Sequence, residues 1–363
     1  MPEKKSFSSG FTVLELLVAV SVTALLAGML LNITSQVVST QTQASGDLET
    51  NQVAQFILDR MQEDLHCAIF RNDGNVWMAA SILEDNSNSG SWKEAVVPKP
   101  TNESLRITPN DWTDGPNDQF AEANNQVSLL DSRFGEAGTF FRFFTQAPEL
   151  DPNTPNTGGA RAVSYQIIRH GLTSSSTSRP RYQLFRSDVS TVETFKAGYN
   201  LHPSSPSYNQ GSNGIRKPTN IINPVFDSPD GPSTDFSLAS NVIDFGIRAY
   251  LIEKNSVGTG NLKQIFPDVN SSTGGGNSPY EYMATSNINY RITGKPSRLY
   301  AFPEVVDVMI RILTTEGASA ISAFEEGLIP TPEGFTPEDY WWELAEKNSE
   351  VYIRRIRIFG SGI

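Results

Sequence analysis

The chain of 363 residues carries a formal net charge of -12 and one cysteine, Cys67. It is long enough to bury a substantial core, and one large lobe is the expected arrangement. Phosphate binding needs clusters of Lys and Arg that are absent here, which excludes a nucleic-acid partner, and one cysteine forms no intrachain disulfide.

The first predicted element is an apolar run. From Phe11 to Leu31 only Thr12, Glu15, Ser21 and Thr23 interrupt it, and about 20 such residues cross a hydrocarbon core as a helix. Lys4 and Lys5 precede the run, and Asp47 and Glu49 follow it. The positive-inside bias then leaves the N-terminus cytoplasmic and sends the bulk of the chain outward. An ordinary secretory signal has a shorter core ending at a small-residue site, and this core has no such stop. A cut before the core, after Gly10, fits better.

The stretch Gly10-Phe11-Thr12-Val13-Leu14-Glu15-Leu16-Leu17-Val18-Ala19-Val20 resembles the processing and methylation site of type IV pilins and type II secretion pseudopilins. The family pattern is glycine, phenylalanine, threonine, two aliphatic residues, glutamate and an apolar run. The resemblance implies a leader over residues 1–10, cleavage by a prepilin peptidase between Gly10 and Phe11, N-methylation of Phe11, and Glu15 as the assembly carboxylate. One departure is mild: the basic pair Lys4 and Lys5 stands further from Gly10 than is common.

A carboxylate within a span costs on the order of 2.5–3.5 kcal/mol on the insertion scale, so it wants a partner. The amine freed at Phe11 of a neighbouring subunit could supply one if helices stack with an offset of about four residues, roughly 6 Å. The bland alternative places Glu15 at headgroup level, merely solvated.

Helical character continues beyond the span. No proline occurs between Pro2 and Pro98, and apolar residues recur at Ile33, Val37, Ala44 and Leu48, then at Val53, Ile57, Met61 and Leu65. These spacings predict one helical face that slips between Leu48 and Val53. Gly28 and Gly46 mark the expected bends. A helix over 11–70, transmembrane in 11–31, is expected to pack its second half under a head formed by 71–363. A span followed by a flexible stalk is the rival, suggested by the polar patch Ser39–Asn51.

The head reads as antiparallel β-sheet with long loops, which makes the fold class α+β. Strands are expected at Leu105–Thr108, Thr139–Thr145, Ala162–Arg169, Arg181–Arg186, Val242–Ile252, Val305–Leu313 and Val351–Phe359. Stretches rich in Gly, Pro, Ser and Asn at 86–91, 151–159, 173–178, 203–213 and 271–278 read as loops. Thr336-Pro337-Glu338-Asp339 is a helix start with a capping threonine, a proline and an acid. That helix, Pro337–Asn348, is expected to turn Tyr340, Trp341, Leu344 and Trp342 to the sheet. The order AVSYQII, RYQLFRSDV, VIDFGIRAYL, PEVVDVMIRI, YIRRIRI is similar to the strand layout of the J-type minor pseudopilin.

Catalytic readings lack raw material. The three histidines, His66, His170 and His202, are scattered, and neither a nucleophile elbow nor a phosphate-binding loop is present. Asp111, Asp114 and Asp118, or Asp227, Asp230 and Asp235, offer oxygens for calcium, but solvated turns explain them better. The expectation is therefore a non-enzymatic minor pilin-like subunit without a cofactor or metal. It would sit in the bacterial inner membrane as a single span and then in a filament, at the tip or in assembly initiation. Its partners would be other pilin-like subunits, the peptidase and an inner-membrane assembly platform. Rival readings are a tip adhesin using Trp77, Trp92 and Trp112, and an anchored protein that never polymerises.

Overall fold

A computed structural model describes residues 12–82, 139–146, 159–171, 180–202, 237–254, 260–266, 281–291 and 297–359. Its first element is α1, Val13–His66, 54 residues of continuous helix. The helix runs unbroken through Gly28 and Gly46. Glycine costs a helix about 1 kcal/mol against alanine but keeps both backbone hydrogen-bonding groups, so neither position has to interrupt it. The chain divides into two compact units, one ending at Glu49 and the other beginning at Thr50.

The second unit is built on two antiparallel sheets. The larger contains β1 (Val76–Ile82), β2 (Thr139–Gln146), β3 (Ala160–His170), β4 (Arg181–Val189), β5 (Ser237–Ser240) and β8 (Glu281–Thr285), in the order β5-β4-β3-β2-β1-β8. The smaller contains β6 (Val242–Lys254), β7 (Gly260–Phe266), β9 (Val305–Leu313) and β10 (Ser349–Arg357), in the order β10-β9-β6-β7. β6 lies against β2, β3 and β4, with the Tyr165 and Phe245 rings 6.3 Å apart. The helical residues from Thr50 complete the core: Ala54, Ile57, Leu58, Met61 and Leu65 are buried among residues of both sheets. The fold is thus α+β, with a long apolar N-terminal helix and antiparallel sheets.

Six expected strands are present with small shifts of boundary, and the last ends at Arg357 instead of Phe359. The expected strand at Leu105–Thr108 and the five loop stretches, apart from Gly159, lie outside the described residues. Strands β1, β5, β7 and β8 were not expected. Each has no more than seven residues; β1, β5 and β8 include Ala or Ser, and β7 begins with Gly and Asn, so only pairing with a neighbour identifies them as strands.

Two helices between β9 and β10 seal one end of the sheets. In α3 (Thr315–Glu325), Thr314 caps the start by accepting from the Gly317 N–H at 3.1 Å. A Cβ at Gly317 would meet Asn348 Cβ at 2.5 Å and its carbonyl at 2.7 Å, so this contact requires glycine. In α4 (Pro337–Lys347), Thr336 accepts from the Asp339 N–H at 3.1 Å, as the sequence signature predicts. Trp341 and Trp342 are both buried, with Tyr340 and Leu344 partly so. A further short helix, α2 (Thr191–Ala197), follows β4.

Strand β9 is buried at all nine positions, so its two charges need partners. Asp307, opposite Arg355 in the ladder, accepts from it twice at 2.7 and 2.8 Å, and Arg311 lies 3.3 Å from Asp244 on β6. A slip of register would separate both pairs.

Burial raises the phenols of Tyr165 and Tyr282 well above their ordinary value and that of Tyr250 to about 12. A raised folded pKa stabilises fully below the unfolded value, near 10, and the contribution is lost as pH rises through the folded one. Stability is therefore expected to fall above about pH 10, with phenolate absorbance appearing together with unfolding. Titration of these three tyrosines with the fold intact would contradict this.

Candidate assembly site

Gly10 and Phe11 lie outside the described residues, whereas Glu15 occupies the first turn of α1. Its Oε2 accepts from the Thr12 N–H and the Thr12 hydroxyl, both at 3.0 Å, and the Glu15 N–H donates back to Thr12 Oγ1 at 3.3 Å. This reciprocal pattern is a capping box, legible in the sequence as Thr-x-x-Glu but not read that way above. It satisfies backbone donors that a helix start leaves open. No described residue donates to Oε1.

The other polar side chains of the apolar run serve themselves. Ser21 and Thr23 donate to the carbonyls of Leu17 and Ala19 at 2.8 and 2.7 Å. The apolar side chains between Val13 and Leu31 are exposed, and α1 is long and apolar enough there to cross a membrane. Glu15 is the one ionisable group in that run.

In the second unit, the helical residues from Thr50 are held by buried charge. Asp64, on the apolar face, receives Arg186 in a fork at 2.8 and 2.9 Å and the Tyr165 hydroxyl as a further donor. Arg186 also reaches Asp188 at 2.8 Å, which Arg161 approaches at 3.3 Å. Burial opposes the Arg186 charge, but hydrogen bonding to Asp64 and the charges around it raise its pKa overall. A second centre lies at Glu325, which accepts from Arg169 at 2.6 and 3.1 Å, Tyr182 at 2.7 Å and Trp341 Nε1 at 3.0 Å. Sequence reading missed both networks. The available signal was an acid at position 64 between Met61 and Leu65 of an apolar stripe.

The remaining candidates are not brought together. His66 meets the Phe359 ring at 5.2 Å, His202 stacks on Tyr290 at 3.9 Å, and His170 ends β3. Among the described residues no group of three His, Cys, Asp or Glu side chains is placed to hold a metal. The two aspartate clusters lie outside those residues, as do Trp92 and Trp112. Trp77, expected as an exposed binding aromatic, is instead 1% exposed. It donates to Asp73 at 2.8 Å and stacks on Tyr199, because strand β1 turns it into the sheet's own aromatic cluster. Cys67 is half-buried, and burial followed by nearby Glu63 and Asp64 pushes its thiol pKa up, which disfavours a reactive thiolate.

Comparison with known protein families, curated proteins and solved structures gives no match.

Removing Arg186 leaves the Asp64 carboxylate buried with the neutral Tyr165 hydroxyl as donor and without its cationic partner. Arg186→Met is expected to destabilise the fold by about 3–5 kcal/mol, and Arg186→Met with Asp64→Asn by much less. Denaturant titration of the full chain in detergent measures both, and equal losses for the two variants would contradict the pairing account.

Proposed function

We propose that this chain is a minor pilin-like subunit, a pseudopilin of a type II secretion or type IV pilus-like filament that acts without chemistry of its own. One observation carries the reading: the Gly10-Phe11-Thr12 motif with Glu15 correctly spaced stands at the head of a helix apolar enough to span a membrane. Gly10 ends the leader, Phe11 becomes the methylated N-terminus, and Glu15 pairs with the freed amine of a neighbouring subunit. The self-satisfied hydroxyls of Ser21 and Thr23 support this, because they leave one carboxylate as the group in the span that gains most from a partner.

The precursor sits in the bacterial inner membrane with its N-terminus cytoplasmic and its head periplasmic. Its partners are other pilin-like subunits, the prepilin peptidase and an inner-membrane assembly platform. A head of nearly 300 residues is hard to repeat along a shaft whose axial step is about one helical turn, about 5 Å, so a tip or initiating position suits it. The α+β architecture and the strand order in the sequence are compatible with a pilin-like head of the J type.

The capping box provides a second reading, in which Glu15 only starts the helix and the chain is an anchored protein that never polymerises. Glutamine caps as glutamate does but carries no charge. Under the proposal, Glu15→Gln and Glu15→Ala are both processed and both fail to enter filaments. Under the second reading Glu15→Gln behaves as the parent chain. Mass spectrometry of the mature protein is expected to find a methylated Phe11 at its start, and an intact leader on the purified membrane form would overturn the proposal.

A further inference from the structure

Among the described residues the two sheets end in the edge strands β5, β8, β10 and β7. Three of them are interrupted. β5 has four residues and slips register against β4, β8 has five and slips against β1, and the pairing of β7 with β6 shifts as well. Short or bulged edges of this kind resist pairing with other chains. β10 is different, holding one register with β9 over nine consecutive pairs, without proline and without a shift.

Two bonds just beyond that ladder fix its phase. The Thr314 N–H donates to the Asn348 carbonyl at 2.9 Å, and the Ile358 N–H donates to the Glu304 carbonyl at 2.8 Å. Bonded and non-bonded pairs alternate in an antiparallel ladder. Glu350, Tyr352, Arg354 and Ile356 therefore bond to β9, whereas Val351, Ile353, Arg355 and Arg357 turn their N–H and C=O groups the other way. β9 is the one strand beside β10 among the described residues, and no other described backbone group is bonded to that outward row. Side chains alternate along a strand, so with Tyr352 and Ile356 directed to the core the four residues of the row share the opposite face. Val351 and Ile353 are half-buried there, and Arg355 and Arg357 are exposed.

Charge decides what can lie along this row. The chain carries a net charge of -12, yet three arginines fall within Arg354–Arg357. Arg354 faces the helix and pairs with Asp59. Arg355 gives Nε and Nη2 to Asp307 and keeps Nη1, while Arg357 lies 5.9 Å from the Phe359 ring and has no acidic partner among the described residues. A second copy would add the same arginines to one short edge, and like charges opposite one another oppose pairing. An acidic strand meets no such barrier. The two exposed arginines thus exclude one class of partner and select another.

We infer that the open edge of β10 is a binding site for an extended acidic segment of another protein, added antiparallel as a fifth strand of the smaller sheet. Acids stand opposite Arg357 and Arg355, and apolar residues stand opposite Ile353 and Val351. Main-chain bonds give the affinity, and the alternate side chains give the register. The site needs neither processing nor Glu15, so it stands apart from the pilin reading.

The probe is a fluorescent peptide, Glu-Thr-Glu-Thr-Val-Thr-Val, titrated into the full chain in detergent. Its antiparallel register sets the glutamates against Arg357 and Arg355 and the valines against Ile353 and Val351. Saturable binding is expected. N-methylation of the glutamate and valine amides, which face β10, is expected to abolish it, and N-methylation of the threonine amides to leave it. Arg357→Glu is expected to weaken the peptide several-fold, and lysine in place of its first glutamate to recover the loss, which also shows that the variant is folded. No saturable binding, indifference to which amides are methylated, or equal binding of the lysine and glutamate peptides to the parent chain overturns the inference. A free chain that light scattering finds dimeric, and that binds peptide only as the dimer comes apart, overturns it in favour of a second copy.

Discussion

A single hydrogen-bonded helix of 54 residues has to satisfy two different surroundings. From Thr50 onward one apolar face is covered by sheet while Phe56 stays exposed, and there burial of Ala54, Ile57, Met61 and Leu65 supplies the main favourable term for docking. Before Glu49 the same backbone carries apolar side chains that remain exposed. Burying an apolar residue of this size is worth roughly 1.5–3 kcal/mol, so the uncovered half is a large unspent driving force. Lipid or other helices are what can use it.

Charge inside the second unit plays a different part. Asp64 with Arg186, Glu325 with Arg169, Asp307 with Arg355 and Asp244 with Arg311 are all paired in or near the core. Such pairs are poor evidence for added stability, since desolvation offsets much of the attraction. Their geometric consequence is clearer. Asp64 fixes the rotation of the helix over β3 and β4, the cross-strand pairs fix the register of β9 against β6 and β10, and Glu325 ties α3 to β3, β4 and α4. Apolar contacts alone would tolerate small slides at each of these places. The exposed pair Arg354–Asp59 is of another kind, screened by water and worth little.

The two roles meet in the contrast between Glu15 and Asp64, acids on the same helix. Asp64 has three donors fixed by the tertiary fold and a low-dielectric setting, so its charge is fully used within the chain. Among the described residues Glu15 has the local Thr12 cap as its partner. A carboxylate with one oxygen that no described residue reaches, at the head of an apolar run, is a group with bonding capacity left for water or a partner.

The sequence by itself determined the long helix, the position of its apolar run and of Glu15, the cap at Thr336 and the six strands rich in β-branched or aromatic residues. Each of these is written in a local signal: a hydrophobic period, a capping pair, or a run of residues suited to a pleated surface. Only the tertiary structure decided that Asp64 faces Arg186, that Trp77 is buried, that Gly317 accommodates Asn348, and that the short segments β1, β5, β7 and β8 are strands at all. These depend on side chains as many as 122 residues apart in the chain and on pairing partners that no single window contains. A buried ion pair looks, in sequence, like two surface charges, and a short Ala- or Ser-rich strand looks like a loop, because what distinguishes them is the neighbour and not the residue.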